Sequence, residues 1–331
     1  MSFTDGSAYE LEFCFDGGDT VRPTPPLPPL GKVKLRVVGR GERVTVVVRR
    51  EGRELSREQI TLREPSLPKP QLRPQLPWGI SVRADGTVVM EKDGKRLSAA
   101  EVGTLLFRAP TDNDIDLKGV NAMAGHMGQQ VRHLSTRVEG GAYIVEWEIR
   151  CRRQRFICRD SYESCAGGVL LTSRLQCTNG SGRLPRFAKS FRLERSFDEV
   201  AYFGRSGESY CDMKEQFPIE EVHCTVADMT EPNLRPQESG NRCDCQWARL
   251  SDGETAFTFT AVEQPFELGI KPYTDTALLA MRHREDEVES GTYVTLSAFQ
   301  MGIGTGSCGP STAPQYCRDA RDEYVLQVVI G

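Results

Sequence analysis

Side chains able to bind a hydroxyl-rich ligand or move a proton gather at three places in this 331-residue chain. Asp112, Asn113 and Asp114 sit together in FRAPTDNDI (107–115), Glu208, Tyr210 and Asp212 alternate in YFGRSGESYCD (202–212), and Glu238, Asn241 and Arg242 share PQESGNRCD (236–244). Two carboxyl groups held close could act as general acid and base in a hydrolysis, and Asp and Asn on a loop could meet the hydroxyls of a sugar. The same residue types also build corners, because short polar side chains bond back to nearby N–H groups and an Arg neutralises a carboxylate. Glu208 with Asp212, or Glu208 with Glu238, are the candidate pairs. Their turn-rich flanks predict carboxylates that bond backbone N–H groups and Arg242, so no residue of this chain is assigned a catalytic role.

Stiffness is the clearest property of the first phrase. Pro110 fixes its own φ and pushes Ala109 toward extended geometry, while Asp112, Asn113 and Asp114 tolerate left-handed φ. A rigid turn is predicted there, read either as a structural corner or as a loop lining a sugar pocket.

The elements that position these phrases follow from composition and periodicity. The length fits two domains, and Lys+Arg 42 against Asp+Glu 46 leaves a net charge of −4. A balance that close to neutral gives no field for nucleic acid or a membrane surface, so neither is an expected partner. No apolar run reaches the ~18 residues a span needs, and MSFTDGSAYELEF shows no secretory pattern, so a cytoplasmic location is expected. Eleven cysteines, an odd number, read as reduced thiols rather than a disulfide framework. Cys151, Cys158 and Cys165 recur every seven residues and Cys243 pairs with Cys245, but His126, His133, His223 and His283 are scattered, so no metal site is predicted.

Period-two writing dominates. It marks strands at Glu10–Phe15, Lys32–Val38, Arg43–Arg50 and Gln59–Arg63. TVRPTPPLPPLGK (20–32) interrupts them as an edge segment or a polyproline recognition site. EPSLPKPQLRPQLPW (64–78), with five prolines, reads as a stiff linker. Further strands are predicted at Ile80–Val82, Thr87–Glu91, Tyr143–Arg150, Val169–Gln176, Phe187–Leu193, Glu254–Ala261, Thr292–Phe299 and Glu323–Ile330. Tyr143, Val145, Trp147 and Ile149 form an apolar stripe from which Glu146 and Glu148 point away. Only TDTALLAMRH (274–283) reads as helix. The class is all-β: a large antiparallel sandwich over 79–331, a small β-domain over 1–64, and a linker over 65–78.

FRAPTDNDI, the Gly-x-x-x-Glu-x-Tyr-x-Asp element ending at Asp212, the Pro-x-Glu-x-Gly-Asn-Arg element ending at Arg242, YTDTALLAMRH (273–283) and MGIGTGSCGP (301–310) occur in one order. Together they resemble the C-terminal part of glycoside hydrolase family 2 β-galactosidases, and EGRELSREQITL (51–62) resembles the end of the preceding immunoglobulin-like domain. The resemblance covers about residues 9–331 and implies a galactose-mutarotase-like supersandwich behind an immunoglobulin-like β-domain.

The resemblance also implies a division of labour. The family's two catalytic glutamates belong to a (β/α)₈ barrel, which takes about 250 residues of alternating strand and helix, and neither of their phrases occurs here. A retaining mechanism needs carboxyl groups about 5 to 5.5 Å apart, which a catalytic large subunit or an upstream barrel would supply, together with magnesium and perhaps sodium. This chain would need no cofactor. It would cap that barrel, help form the outer subsite for β-galactosides such as lactose, and self-associate when alone; a free-standing carbohydrate-binding or scaffolding sandwich is the alternative. The resemblance places Asp112, Asn113, Asp114 and Asp116 in one mouth loop and Ser307 and Cys308 in the other, with Arg108, Pro110, Glu208, Tyr210, Asp212, Glu238, Asn241 and Arg242 as framework. Where better-known members place a tryptophan this chain has Cys308, which removes a stacking surface, and an expected glycine after DNDI is Asp116.

Overall fold

A computed structural model of the chain describes residues 9–23, 33–77, 79–114, 124–286, 288–304 and 312–331. It divides into two compact units, one of Met1–Ser66 with Glu215–Ile219 and one of Leu67–Lys214 with Glu220–Gly331.

In the first unit β1 (Tyr9–Phe15), β2 (Thr20–Val21), β3 (Arg43–Arg50) and β4 (Arg53–Thr61) make an antiparallel sheet in the order β2-β1-β3-β4. Tyr9, Phe15, Val44 and Val47 are its buried side chains. Glu51 and Gly52, with φ of 52° and 73°, form the two-residue connection from β3 to β4 that a right-twisted hairpin favours. This extends the predicted Gln59–Arg63 strand back to Arg53. The predicted strand at Lys32–Val38 is not formed: residues 33–40 alternate in sequence but join no ladder.

The second unit continues with β5 (Ile80–Val82), β6 (Val88–Lys92), β7 (Lys95–Leu105), a 3₁₀ turn at Asp112–Asp114 and α1 (Ala124–Met127). Then come β8 (Gln130–Glu139), β9 (Ala142–Arg150), β10 (Arg155–Cys165), β11 (Gly168–Asn179), β12 (Arg183–Leu184), β13 (Arg186–Leu193), β14 (Glu199–Arg205) and β15 (Ile219–Thr225). The last are β16 (Arg242–Cys245), β17 (Trp247–Ser251), β18 (Ala256–Ala261), β19 (Phe266–Lys271), α2 (Asp275–Ala280), β20 (Thr292–Gln300), β21 (Arg318–Asp319) and β22 (Tyr324–Ile330). A nine-stranded sheet, β15-β14-β17-β18-β22-β11-β10-β9-β8, faces a seven-stranded one, β16-β19-β20-β13-β7-β6-β5.

Inward residues of both sheets share one core, with Val145, Phe156, Leu171 and Val328 from the larger and Leu97, Phe191, Leu268 and Leu296 from the smaller. Each such side chain contributes roughly 1.5–3 kcal/mol by leaving water. Lys189 of β13 reaches across this core to Asp160 of β10 at 2.6 Å. The all-β class is thus realised as an antiparallel sandwich.

The Tyr143, Val145, Trp147 and Ile149 stripe lies on the core side of β9, but Glu148 on the other face is buried among Arg132, Arg150 and Arg155 rather than wet. The predicted linker is held where described: Leu67 bridges Glu263, Leu72 bridges Cys165, and Arg73 N–H donates to the Ser164 carbonyl at 2.8 Å. Backbone bonds to the end of β10 and to Glu263 hold this stretch in the second unit. No helix among the described residues is long and apolar enough to cross a membrane.

Candidate functional site

Beyond β7 the chain turns through the predicted corner, and Arg108 is its centre. Its guanidinium is fully buried and grips Asp114 with two bonds, Nη1 to Oδ2 at 2.7 Å and Nη2 to Oδ1 at 3.1 Å. Nη1 also donates to the Ala109 carbonyl and Nη2 to that of Gly302, at 3.2 Å. Asp114 Oδ2 further accepts the Thr111 N–H at 2.6 Å and its hydroxyl at 3.0 Å. These bonds engage both oxygens of a side chain only 4% exposed. Asp114, counted above among the ligand-facing residues, is the knot of the corner, with both of its oxygens engaged within it. Asp112 and Asn113 belong to the same 3₁₀ turn, and Pro110 is half-buried before it. Burial disfavours the charged Arg108, but Asp114 outweighs it and raises the guanidinium pKa.

The second phrase meets the strand end that follows β20. Asp212 Oδ2 accepts the Gly304 N–H at 2.9 Å and Oδ1 the Ile303 N–H at 3.3 Å, while Thr312 Oγ1 donates to the Gly302 carbonyl at 2.7 Å. A Cβ on Gly302 would stand 2.3 Å from the Asp212 carboxyl carbon, so only glycine lets the chain pass so close. Asp212 and Arg108 thus anchor 302–304 from two sides. Glu208 accepts from Tyr210 Oη at 3.1 Å and from the Gly240 N–H at 2.9 Å. At Gly240, with φ of 81°, a Cβ would lie 1.9 Å from the Met229 carbonyl oxygen.

Glu238 does not pair with Arg242 as the turn-rich flanks suggested. It accepts from Lys271 Nζ at 2.7 Å and from Gln300 Nε2 at 3.2 Å. Lys271 also holds Asp275 at 2.9 Å, and Arg186 Nη1 grips the other oxygen of Asp275 at 3.0 Å. Thr274 places Asp275 by capping α2, its side chain accepting the Ala277 N–H. Burial opposes charge on Asp275, yet Lys271 and Arg186 keep its carboxyl below the ordinary range. Arg242 faces elsewhere, donating to Tyr202 Oη at 3.1 Å and to the carbonyls of Asn241 and Asp228.

Glu267, Lys271, Asp275, Arg186 and Gln300 were missed by the sequence reading. Glu267 and Lys271 alternate with the core residues Phe266, Leu268 and Ile270, so period two assigns them a wet face. Lys271 is instead buried and Glu267 half-buried. Glu267 accepts Asn241 Nδ2 at 2.7 Å and the Gln300 N–H at 3.1 Å, and burial, partly opposed by these donors, pushes its carboxyl up to about 7. Asn241 Oδ1, Gln300 Oε1 and Arg108 Nε are buried with no partner among the described residues. The buried Tyr210 lies within electrostatic reach of Glu238, Glu208 and Arg108. Asp116, Ser307 and Cys308 lie outside the described residues, as does Trp78. Among the described residues no group of three or more His, Cys, Asp or Glu fits a metal ion.

The second unit is a two-layer antiparallel sandwich with a polar clasp at the roots of two connecting segments, in which Asp114, Glu208, Asp212, Glu238, Glu267 and Asp275 all bond within the fold. The family described as "Beta galactosidase small chain" matches residues 76–330, and this chain belongs to it. It is similar to the β-galactosidase of Actinobacillus pleuropneumoniae, 27% identical over 245 residues, 69% of this chain and 23% of that protein. Similarity to that of Staphylococcus xylosus is 26% over 261 residues, 72% of this chain and 26% of the other. The chain thus spans about a quarter of the length of these relatives. Among solved structures, a galactose mutarotase-like protein from Lactobacillus casei aligns at a TM-score of 0.40 and 9% identity, covering 74% of this chain and 99% of that one. Another, from Clostridium acetobutylicum, aligns at 0.36 and 8%, covering 87% and 95%.

Proposed function

We propose that this chain is the non-catalytic small component of a cytoplasmic family 2 β-galactosidase, docking on a (β/α)₈ barrel carried by a catalytic large chain and completing the outer sugar subsite for lactose-type β-galactosides. The observation that carries this reading is the Arg108 clasp, which joins Asp114 to the Gly302 carbonyl and so holds the roots of two sequence-distant segments at one place. Segments leaving such a root can wall a substrate without touching the reacting bond, and rigid positioning is worth orders of magnitude in rate. The acid, the nucleophile and any magnesium or sodium belong to the partner in this reading.

Mixing the purified chain with a barrel-bearing large chain and assaying a chromogenic β-galactoside tests it. Activity is expected from the mixture and from neither chain alone. An Arg108→Met chain should form the complex yet lower turnover at least tenfold. Hydrolysis by the isolated chain, or a large chain fully active without it, would overturn the proposal.

A further inference from the structure

The nine-stranded sheet carries a groove of about 540 Å³ on the face turned away from the core. That size is ordinary for a small-molecule site. Ile144, Ser161, Thr172 and Gln327 stand side by side across β9, β10, β11 and β22 and form its floor. Gln327 Nε2 donates to Thr172 Oγ1 at 3.2 Å and Ser161 Oγ to Glu163 Oε1 at 3.2 Å, so the row is oriented before a ligand arrives. One wall is the strap of Lys69, Pro70 and Leu72, pinned by the Leu67 and Leu72 bridges. The β8–β9 turn contributes Glu139 and Gly140.

Chemistry narrows the occupant. Two of the cations are matched, Lys69 to Glu263 at 2.8 Å and Arg159 to Glu139 at 3.4 Å, and Glu163 adds a carboxylate, so the groove is not built for an anion. A hydroxyl and amide row across the floor excludes an acyl chain. What remains is a neutral ligand with many hydroxyls and one apolar face: the row and Arg174 offer donors and acceptors, while Leu170 and Val262 offer a C–H surface. We propose that this groove is a second, non-catalytic saccharide site taking a neutral mono- or disaccharide; the choice of a β-galactoside as probe rests on the function proposed above.

Ligand-detected NMR and calorimetry of the full chain with lactose, galactose and inorganic phosphate test this without any partner. Millimolar lactose binding is expected, weakened at least fivefold in Thr172→Val, which removes the hydroxyl at constant shape. Should that variant fold poorly, Ser161→Ala in the row and Arg174→Gln beside it read out the same groove. No saccharide binding, binding unchanged by the variants, or phosphate binding alone would each overturn the proposal. The variants should complement a large chain normally; an unaltered chain that binds lactose but fails to complement faults the subunit reading alone, and one that complements but binds no saccharide faults the groove alone.

Discussion

Two buried lysines occupy opposite faces of the seven-stranded sheet and are treated differently. Lys189 points between the layers and has one carboxylate, Asp160, plus the Thr104 hydroxyl at 2.7 Å. Asp160 is completed by Ser173 and by Trp147 Nε1 at 3.0 Å. Lys271 points away from that core and is shared by Glu238 and Asp275, with Arg186 as a second cation. The first cluster is closed around a single cation; the second is extended, has two cations against two carboxylates, and is edged by oxygens of Asn241 and Gln300 that have no partner among the described residues. A pair sealed in a core fixes how two sheets register, whereas a branched network beneath two segment roots spreads its charge and tolerates adjustment.

Removing each lysine is the strongest way to break this contrast. Lys189→Met should destabilise the sandwich by about 3–5 kcal/mol, because Asp160 is left charged and buried. Adding Asp160→Asn should recover most of that loss, since an acceptor remains for Ser173 and Trp147. Lys271→Met should cost less, about 2–3 kcal/mol, because Arg186 still neutralises Asp275 and Gln300 still donates to Glu238. Denaturant unfolding measures both, and equal losses would erase the distinction.

Next in size is a pH effect confined to the extended cluster. Folding raises the Glu267 carboxyl to about 7, so between pH 4.5 and 7 the folded chain holds a proton that the unfolded chain has released. Stability from this group is therefore greatest at low pH and falls by about 1.4 kcal/mol per unit across that window, about 3 kcal/mol in all. Glu267→Gln should flatten the pH dependence of unfolding over that window, and an unchanged slope would show that Glu267 ionises normally in the fold. The smallest effect concerns orientation: Thr274→Ala should cost about 1 kcal/mol by uncapping α2 and should loosen Asp275, leaving the Lys189 pair untouched.

How much of this was legible depended on whether a residue's partner lay nearby in sequence. The turn at Asp112–Asp114 could be read because Asx side chains bond their own neighbourhood, as Asp114 does with Thr111. That the same carboxylate takes Arg108, and Arg108 the carbonyl of Gly302, depends on a contact across 194 positions that no local pattern encodes. In β10 the inward row of Phe156, Cys158, Asp160 and Tyr162 hides its period because Asp160 is polar for the sake of Lys189, so that strand was not predicted. β19 was missed because both of its faces are covered. KVKLRVV (32–38) misled in the other direction, since alternation shows which residues would share a face but supplies no neighbouring strand.

The place of β22 bears on how the sandwich is made. Strands β8 to β11 form one ribbon and β14, β15, β17 and β18 another; β22, paired with β11 on one side and β18 on the other, bridges them. During vectorial synthesis the two ribbons emerge well before residues 324–330, each with an unpaired inner edge open to strangers. A short peptide copying YVLQVVI should therefore compete with β22 for those two edges during refolding, and a refolding yield unchanged by it would show that the ribbons do not wait for β22.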